Sequence, residues 1–576
     1  MSLQKLHDVR ALTVRPLERS ERFLTFPETQ IPPAWDGTLV VFRHGAAPMR
    51  FWMDLEHSLG PRNFGRFFHE VADRFVSDVA LDPRRHWAFF AVNQTPLDSN
   101  GQFTTFLIPE EPGGGTPVHT MMDVPIARDT TRVGQQLLKR LRGRHPSLTL
   151  GVGHSAGAFV NLKLNTGLDP NIPGIFPGDN HVHPYNPASG KIYDGFMWLS
   201  GNPAPIDSLR GVSAPTLLLA GEGETPALLN ATRHVKDLID AGLDAQMWTR
   251  IYAIRNMPHI DADLVTVLGR QGLDFAAPAT RGHYTAGGER LKPVAGALLD
   301  ALAAWITEGT LPPPSRFNGI RLDANGDGTA DALTFPQANG QTTSSFPFVD
   351  DPTQDILSGP RSSMTAAQNP LLLSRWLAAQ DALLTHPDSV VLAETACRRG
   401  RFMMVTPGPV GTWFTPYSEQ EFVERWGSSA AHQSCRVLVA DSLIEQGFYD
   451  PTVVTIDIAP ETFPNVINLG TDNVVTITIL TTGGFDATTI NPATLGFGGA
   501  SQSGAETTRR GDHNDASHHV TRTRIEDMNG DGRLDMVAEF PVVRLKFMDH
   551  DMVAELWGQT SRGLPFSGTD FVQLVR

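Results

Sequence analysis

The stretch SLTLGVGHSAGAFVNLKL, residues 147–164, decides the fold of the first half of the chain. Residues 147–152 predict a buried strand, and residues 158–164 have the apolar spacing of a helix. Between them lies Gly153-His154-Ser155-Ala156-Gly157, a serine between two glycines at a strand-to-helix turn. Such a turn lifts the serine hydroxyl out of the backbone, and the N–H of Ala156 faces the place where an oxyanion would form. The pattern predicts that Ser155 is a nucleophile.

Apolar runs on both sides of this stretch extend the pattern. Further strands are predicted at residues 37–42, 87–92, 195–199, 215–220 and 246–254. Helices are predicted at residues 64–75, from a cap at Asp129 to Gly143, and over a last segment that buries Val294, Leu298, Leu302 and Trp305 before Gly309. This alternation predicts the α/β class, with a doubly wound, mostly parallel sheet covered on both faces.

The composition of the chain changes twice, which predicts three parts. Residues 1–315 carry the strand–helix alternation and end in LPPPS, a stiff segment. Residues 316–450 are mixed and loop-rich, with helical patterns at 374–384 and 435–446, and we expect them to pack on the core as an extension. From residue 452 the β-branched runs TVVTIDI and NVVTITIL, separated by turn glycines, predict a C-terminal β-sandwich domain over 452–576.

The charge of the chain argues against a nucleic-acid partner, and its hydropathy argues against a transmembrane segment. Among 576 residues, Lys and Arg number 47 and Asp and Glu 62, which gives a net charge of −15. An acidic surface without a basic stretch repels phosphate backbones, so nucleic acid is not expected as a partner. No apolar run approaches the roughly 20 residues that span a bilayer, so no transmembrane segment is expected.

The strand, turn and helix around Ser155 resemble the α/β-hydrolase superfamily, in which a serine, an acid and a histidine follow in that chain order. The resemblance implies an acid after a late strand, where PTLLLA leads into Gly221-Glu222-Gly223-Glu224. Glu224 falls at the acid position, and Glu222 is the alternative. Glutamate departs from the more usual aspartate, but it too can orient an imidazole and offset its charge.

The same resemblance implies that the base lies in a later loop. His259 directly follows the predicted strand at 246–254, within Asn-Met-Pro-His, whereas His283 precedes the last helix, where other members carry a Gly-His pair. His259 is therefore the predicted base and His283 the alternative.

The first predicted strand leads into His44-Gly45-Ala46. In the superfamily a His-Gly pair here opens the loop that supplies the second oxyanion donor. The resemblance implies the backbone N–H of Gly45 or of Ala46, beside that of Ala156, and leaves open which of the two donates.

Two further segments look like a bacterial group called "alpha/beta hydrolase domain", which is similar in layout to tannases and feruloyl esterases. They are residues 305–317 (WITEGTLPPPSRF) and residues 414–449, at the helical end of the extension. The group has no single substrate, so this resemblance sharpens the fold more than the function. The loop at 323–331 is a departure from the group.

Two loops share the pattern D-x-N-x-D-G-x-x-D, which can wrap alternating oxygen ligands around a hard cation. Their candidate calcium ligands are Asp323, Asn325, Asp327, Thr329 and Asp331 in the first loop, and Asp527, Asn529, Asp531, Arg533 and Asp535 in the second. Thr329 and Arg533 would contribute backbone carbonyls. Thr334 and Ala538 stand where an EF-hand has glutamate, so the loops look more like those of dockerins and extracellular β-proteins.

The compartment follows from indirect features. Weak calcium sites suit the millimolar calcium outside cells, which favours a secreted or periplasmic protein. The C-terminal part also resembles accessory β-sandwiches of exported bacterial proteins. The N-terminal residues lack the apolar region of a signal peptide, and the chain as given is expected to be a mature or trimmed form. Whether Cys397 and Cys435 are bridged is left open.

The functional hypothesis is a serine hydrolase that cleaves a small-molecule carboxylic ester through an acyl-enzyme. We expect structural calcium and no organic cofactor. The alternatives are an amidase or lactonase with the same triad, and a calcium-dependent surface or adhesion protein whose hydrolase domain is inactive.

Overall fold

A computed structural model describes part of the chain. The described residues are 24–25, 31–43, 82, 84–92, 105–107, 117–119, 124–155, 158, 192–201, 214–221, 242, 244, 247–254, 288–315, 320–322, 332–334, 354–358, 363–365, 412–416, 419–460, 462, 465–499, 520–545, 547 and 553–575. The helical patterns predicted at residues 64–75 and 374–384 lie outside them.

Nine strands are described in the first part of the chain. They are β1 (Leu24–Thr25), β2 (Thr38–Arg43), β3 (Ala88–Val92), β4 (Thr105–Leu107), β5 (Pro117–His119), β6 (Leu148–Ser155), β7 (Gly195–Gly201), β8 (Thr216–Gly221) and β9 (Thr249–Ile254). Seven share one sheet in the order β1-β3-β2-β6-β7-β8-β9, while β4 pairs with β5. Strand β1 is antiparallel to β3, and the other six strands of the sheet are mutually parallel. The predicted strands and the parallel sheet are confirmed.

In the described part of the chain, two helices cover this sheet. Helix α1 spans Val124–Arg142 and helix α2 spans Gly288–Glu308. The predicted cap at Asp129 is wrong, because α1 already includes Pro125 in its first turn, where a missing N–H breaks no helical hydrogen bond. Both predicted ends are confirmed: Gly143 and Gly309 follow the helices with φ of 77° and 75°, a conformation that glycine adopts without strain.

The two faces of the sheet pack into separate cores, as alternation along a strand requires. Val40 and Phe42 of β2 lie in one core with Leu298 and Leu302 of α2. The intervening residues of β2 lie in the other core with Leu138 of α1. Both faces are therefore covered, which is the doubly wound arrangement that the sequence predicts. Among the described residues, no helix is both long and apolar enough to cross a bilayer.

The described residues of the middle part form five short strands and two helices. They are β10 (Ile320–Leu322), β11 (Ala332–Thr334), β12 (Gln354–Ser358), β13 (Ser363–Thr365), β14 (Thr412–Pro416), α3 (Glu419–Trp426) and α4 (Ser429–Glu445). Strands β10, β11 and β13 form one small antiparallel sheet, and β12 pairs with β14. Ser428 caps α4 by accepting a hydrogen bond from the N–H of Ala431. Cys435 on α4 is disulfide-bonded, and the only other cysteine in the sequence is Cys397.

Antiparallel strands dominate the C-terminal part. They are β15 (Ile456–Ile458), β16 (Val466–Asn468), β17 (Val474–Ile479), β18 (Gly496–Gly499), β19 (Arg522–Glu526), β20 (Asp535–Pro541), β21 (Val553–Gln559), β22 (Pro565–Phe571) and β23 (Gln573–Val575), with 3-10 turns at Ala487–Thr489, Pro492–Thr494 and Val542–Arg544. One sheet has the order β15-β17-β20-β19 and another β18-β21-β22, while β16 pairs with β23. Ile477 and Phe540 of the first sheet share a core with Phe497 and Leu556 of the second.

Helix α4 and the residues just after it contact both the parallel sheet and the C-terminal sheets. Leu443 and Phe448 belong to the core on the α2 side of the parallel sheet, where the Phe448 ring meets Tyr252 of β9 edge-on. From the same helix, Nη1 of Arg436 donates to the carbonyl of Ile456 in β15 at 2.8 Å. The helix therefore fixes the position of the C-terminal sheets against the parallel sheet.

Candidate active site

Ser155 is the last residue of β6, a central strand of the parallel sheet. Strand β6 pairs with β2 on one side and β7 on the other, and its register with β7 shifts between His154 and Ser155. Ala158, three residues further on, is helical and fully buried. The backbone thus leaves the sheet at the serine, as a strand-to-helix turn requires. The side chain of Ser155 and all of Ala156 lie outside the described residues.

The strands that precede the predicted acid and base also end at this edge of the sheet. Strands β8 and β9 run parallel, and their last residues, Gly221 and Ile254, are paired. In the sequence the acid candidates Glu222 and Glu224 follow Gly221, and the base candidate His259 follows Ile254. The carboxyl ends of parallel strands meet at one edge, where such sheets carry their sites.

The candidate side chains themselves are not described. Glu222, Glu224, His259, His283 and the oxyanion candidates Gly45 and Ala46 all lie outside the described residues. Their assignments therefore stay predictions. The structure bears on them through the strand ends that precede them.

Next to the β6 terminus lies a buried arginine that the sequence reasoning did not single out. Arg43 ends β2 and pairs with Gly153 of β6. Its side chain is 1% exposed, its Nε donates to the hydroxyl of Tyr193 at 3.1 Å, and its Nη2 donates to Oγ1 of Thr131 at 2.6 Å. The two hydroxyls are themselves 3.1 Å apart. The sequence does carry a signal for this residue, because a charged side chain directly follows the mostly apolar run TLVVF.

Tyr193 and Asp194 fix the other side of β6. A Cβ at Gly151 would lie only 2.8 Å from the Tyr193 ring, so this strand position requires glycine. The N–H of Thr149 donates to Oδ2 of Asp194 at 2.8 Å, and the N–H of Asp194 donates back to the carbonyl of Thr149. The residues ahead of β7 thus hold the strand that ends in Ser155.

The second acidic loop is described and joins β19 to β20. Both carboxylate oxygens of Asp527 accept loop N–H groups, from Gly530 and Gly532 at 2.8 and 3.0 Å, and Oδ1 of Asp531 accepts from Arg533 at 2.8 Å. Asp535 is fully buried and accepts from the N–H groups of Thr481 and Met528. Burial raises the pKa of Asp535 against these hydrogen bonds.

These carboxylates are of the type that calcium prefers. Oδ2 of Asp527 and Oδ1 of Asp531 each accept one N–H and keep a further lone pair, whereas Oδ1 of Asp527 accepts from both Gly530 and Asp531. The part of the chain that the structure describes nevertheless brings together no group of three or more His, Cys, Asp or Glu side chains fit to hold a metal. The first loop, Asp323 to Asp331, connects β10 to β11 and lies outside the described residues. Calcium at either loop stays a prediction.

The loop Asp527–Asp535 contacts helix α4. Oγ of Ser434 donates to the carbonyl of Asn529 at 2.8 Å, and Arg533 pairs with Asp441 at 2.7 Å. The loop therefore lies at the junction between α4 and the C-terminal sheets, far along the chain from Ser155.

Part of the chain matches a known protein family. Residues 126–367 match the model of a family described as "Alpha/beta hydrolase domain". The match includes residues 305–317 and stops before 414–449, so the resemblance of the second segment stays a prediction. The match and the parallel sheet that carries Ser155 at the end of a central strand support an α/β-hydrolase fold for this part of the chain.

Several solved structures are similar to part of the chain. They include the esterase PE8 (16% identity, TM-score 0.23, 42% of this chain and 93% of that one), a serine hydrolase without lid from Xanthomonas campestris (10%, 0.21, 43% and 84%) and a putative alpha/beta hydrolase from Agrobacterium tumefaciens (13%, 0.23, 50% and 93%). At such low TM-scores these likenesses carry no weight for the fold, the site or the substrate. No curated protein sequence matches the chain.

Proposed function

We propose that this chain is a serine hydrolase that cleaves carboxylic esters of small molecules through an acyl-enzyme intermediate. The observation that carries the proposal is the position of Ser155, at the end of a central parallel strand, where the pairing with β7 shifts. Two more strands, β8 and β9, end at the same edge just before the predicted acid and base. Serine, acid and histidine therefore follow in the chain order of the α/β-hydrolases.

In the proposed mechanism, Oγ of Ser155 attacks the ester carbonyl carbon while the imidazole of His259 accepts the hydroxyl proton. The N–H of Ala156 and that of Gly45 or Ala46 donate to the oxyanion. The bond to the alcohol oxygen then breaks, and the imidazolium returns the proton to that oxygen. Glu224 orients the imidazole throughout. Water, deprotonated by the same imidazole, attacks the acyl-enzyme and releases the acid.

The test is an ester panel combined with an active-site label. We expect the wild type to hydrolyse p-nitrophenyl esters and to be modified by a fluorophosphonate at Ser155, as located by mass spectrometry. Ser155→Ala should abolish both, because no other group supplies the nucleophile. Ser147→Ala is the matched control, because Ser147 lies just before the start of the same strand and has no role in the proposed mechanism.

The other outcomes distinguish the alternatives. Turnover of amides or lactones, with no ester turnover but the same labelled serine, would assign an amidase or lactonase. A folded wild type that neither turns over any acyl substrate nor is labelled would contradict the proposal and favour a binding protein with an inactive hydrolase domain.

We also propose that the C-terminal sheets form an accessory β-sandwich domain, that calcium stabilises the two acidic loops, and that the protein is secreted or periplasmic. The shared core of two antiparallel sheets supports the sandwich. The disulfide at Cys435 supports an oxidising compartment, since disulfides are rare in reducing ones. Reversible mobility shifts of the exported protein on reduction would test the disulfide.

A further inference from the structure

The guanidinium of Arg43 ties three elements together at the point where β2 ends. The guanidinium belongs to β2. Its partners among the described residues include Thr131, which belongs to α1, and Tyr193, which precedes β7. All three residues are at most 1% exposed. Because a guanidinium is a rigid planar fork, two hydroxyls at its Nε and Nη2 fix both its position and its orientation.

Packing alone does not explain an arginine at this place. The preceding residues of β2 on the same face, Leu39 and Val41, lie in an apolar core with Tyr193. Burying a cation is costly unless it is well hydrogen-bonded, and an apolar residue of similar size would fill the site at lower cost. We therefore expect the guanidinium of Arg43 to have a role in function, which an apolar side chain at this position would not fill.

The same group of residues also bears on the nucleophile strand. Arg43 lies opposite Gly153, two residues before Ser155, and the Tyr193 ring packs against the backbone at Gly151. The ring of Tyr193 thus contacts β6. Its hydroxyl accepts a hydrogen bond from Arg43, at the end of β2. The group links the strand that carries the serine to the strand that leads into His44-Gly45-Ala46.

We propose that Arg43, held by Thr131 and Tyr193, is a positioning residue that holds the end of β2, and with it the oxyanion donor that follows, in register with the nucleophile strand. The proposal rests on the serine-hydrolase function above. Oxyanion donors act only when they are held within about 0.5 Å of the productive geometry. A loosened β2 terminus would weaken stabilisation of the transition state more than binding of the substrate.

The test removes single hydroxyls and compares kinetics with stability. Tyr193→Phe and Thr131→Val should each lower kcat by roughly tenfold, and Arg43→Met by roughly 100-fold, with KM within about threefold of the wild type. Binding of phenylboronic acid, whose adduct with the serine mimics the tetrahedral intermediate, should weaken in proportion to kcat/KM. A purely structural role would lower the melting temperature without changing boronate affinity.

Two matched variants serve as controls. Tyr252→Phe removes another buried hydroxyl, which donates to the carbonyl of Pro313 at 2.7 Å, and Arg250→Met removes another buried guanidinium, which stacks on Trp305. Both lie on β9, away from β2, and should leave kcat unchanged. Arg43→Lys keeps the charge but not the fork, so it should not restore activity.

The outcomes distinguish failure of the positioning role from failure of the proposed function. If the wild type is active and labelled at Ser155 while the three variants keep kcat within twofold, only the positioning role is overturned. Full activity of Arg43→Lys would also overturn it, because charge alone would then suffice. If the wild type is neither active nor labelled, the proposed function fails and the positioning role fails with it. Should Arg43→Met not fold, the two hydroxyl variants still decide.

Discussion

Nη2 of Arg85 lies 3.0 Å from Oδ2 of Asp450, and both side chains are almost completely buried. Arg85 precedes β3 of the parallel sheet, whereas Asp450 follows helix α4 at the end of the middle part, so the pair joins the parallel sheet to the end of that part. Nη2 of Arg84 lies 3.1 Å from the other carboxylate oxygen of Asp450. The N–H and hydroxyl of Thr452 donate to the same carboxylate at 3.0 and 2.7 Å.

Asp450→Asn should destabilise the protein by roughly 3–5 kcal/mol, because it leaves the buried Arg85 with less compensation. Chemical unfolding at neutral pH measures the change. Asp300→Asn is the matched control. Asp300 also binds Arg85, at 2.7 and 2.6 Å, but its side chain is 52% exposed, so its loss should cost less than about 1 kcal/mol. Equal losses for the two variants would contradict the burial argument.

Protonation of the Asp450 carboxylate should lower the stability of the folded protein at acid pH. Burial alone would raise the pKa of Asp450, but Arg85, Thr452 and Arg84 outweigh burial and hold the pKa at about 2, below its ordinary value of 3.8. Its contribution is therefore present above about pH 4 and is lost as the pH falls through 2. In Asp450→Asn this part of the acid dependence should disappear.

Asp457 should have the opposite effect on stability. It lies on β15, buried against α4, where Gln433 and Ser429 donate to it. The charge of Arg436 on α4, which lies 3.7 Å from Asp570 of β22, acts to lower the pKa of Asp457. Burial raises the pKa of Asp457 to about 6 despite these groups. Since the folded pKa exceeds the unfolded one, its contribution is present below about pH 4 and is lost as the pH rises through 6.

We therefore expect Asp457→Asn to remove a fall in stability on the order of 1–3 kcal/mol between pH 4 and 7. Unfolding free energies at several pH values measure this. Glu526→Gln, at a carboxylate that is 56% exposed on β19, should leave the pH profile unchanged. If Asp457→Asn keeps the wild-type profile, the titrating group lies elsewhere.

Two histidines, His259 and His283, are candidates for the base, and substitution of each distinguishes them. His259→Ala should lower kcat by several orders of magnitude, as loss of a triad member does, because the serine then has no proton acceptor. His283→Ala should have a much smaller effect. Steady-state hydrolysis of a p-nitrophenyl ester compares them. The reverse result would move the base to the later loop and leave Ser155 as the nucleophile.

The acid is tested in the same way within one loop. Glu224→Gln should keep the fold but impair turnover, because a neutral amide does not offset the imidazolium charge. Glu222→Gln is its matched control, two residues away. If Glu222→Gln is the damaging change and Glu224→Gln is mild, the acid lies directly after β8.

Calcium should act on stability and not on the chemistry. Added calcium should raise the melting temperature in a concentration-dependent way and EDTA should lower it, because an ion that binds only the folded loop shifts the unfolding equilibrium. Asp527→Asn should weaken this response, while Asp486→Asn, at an exposed carboxylate that caps a 3-10 turn, should not. Ester hydrolysis should survive chelation at a temperature where the fold persists.

Two results would contradict this prediction. An unchanged melting curve with EDTA and with excess calcium would count against bound calcium. Immediate loss of activity on chelation, in protein that stays folded, would indicate a catalytic metal instead.

The sequence by itself determined the local elements and the position of the serine. Apolar runs predicted the strands of the parallel sheet, and Gly143 and Gly309 predicted where α1 and α2 end, because only glycine adopts a positive φ there at no cost. Ser155 could be placed at the end of β6 because the strand, the flanking glycines and the following helix are all encoded within 18 residues. The start of α1 was missed because Pro125 is as compatible with a first turn as a polar cap is.

Only the tertiary structure decided which distant residues meet. Arg43 binds hydroxyls that are 88 and 150 positions away, and Arg85 pairs with a carboxylate 365 positions away. A charged residue at a strand end or before a strand says nothing about its partner, because that partner depends on the strand order and on the direction from which helices pack. The local pattern of apolar residues indicates which face of a strand is buried. The strand order β1-β3-β2-β6-β7-β8-β9 is settled only when the helices cover both faces of the whole sheet.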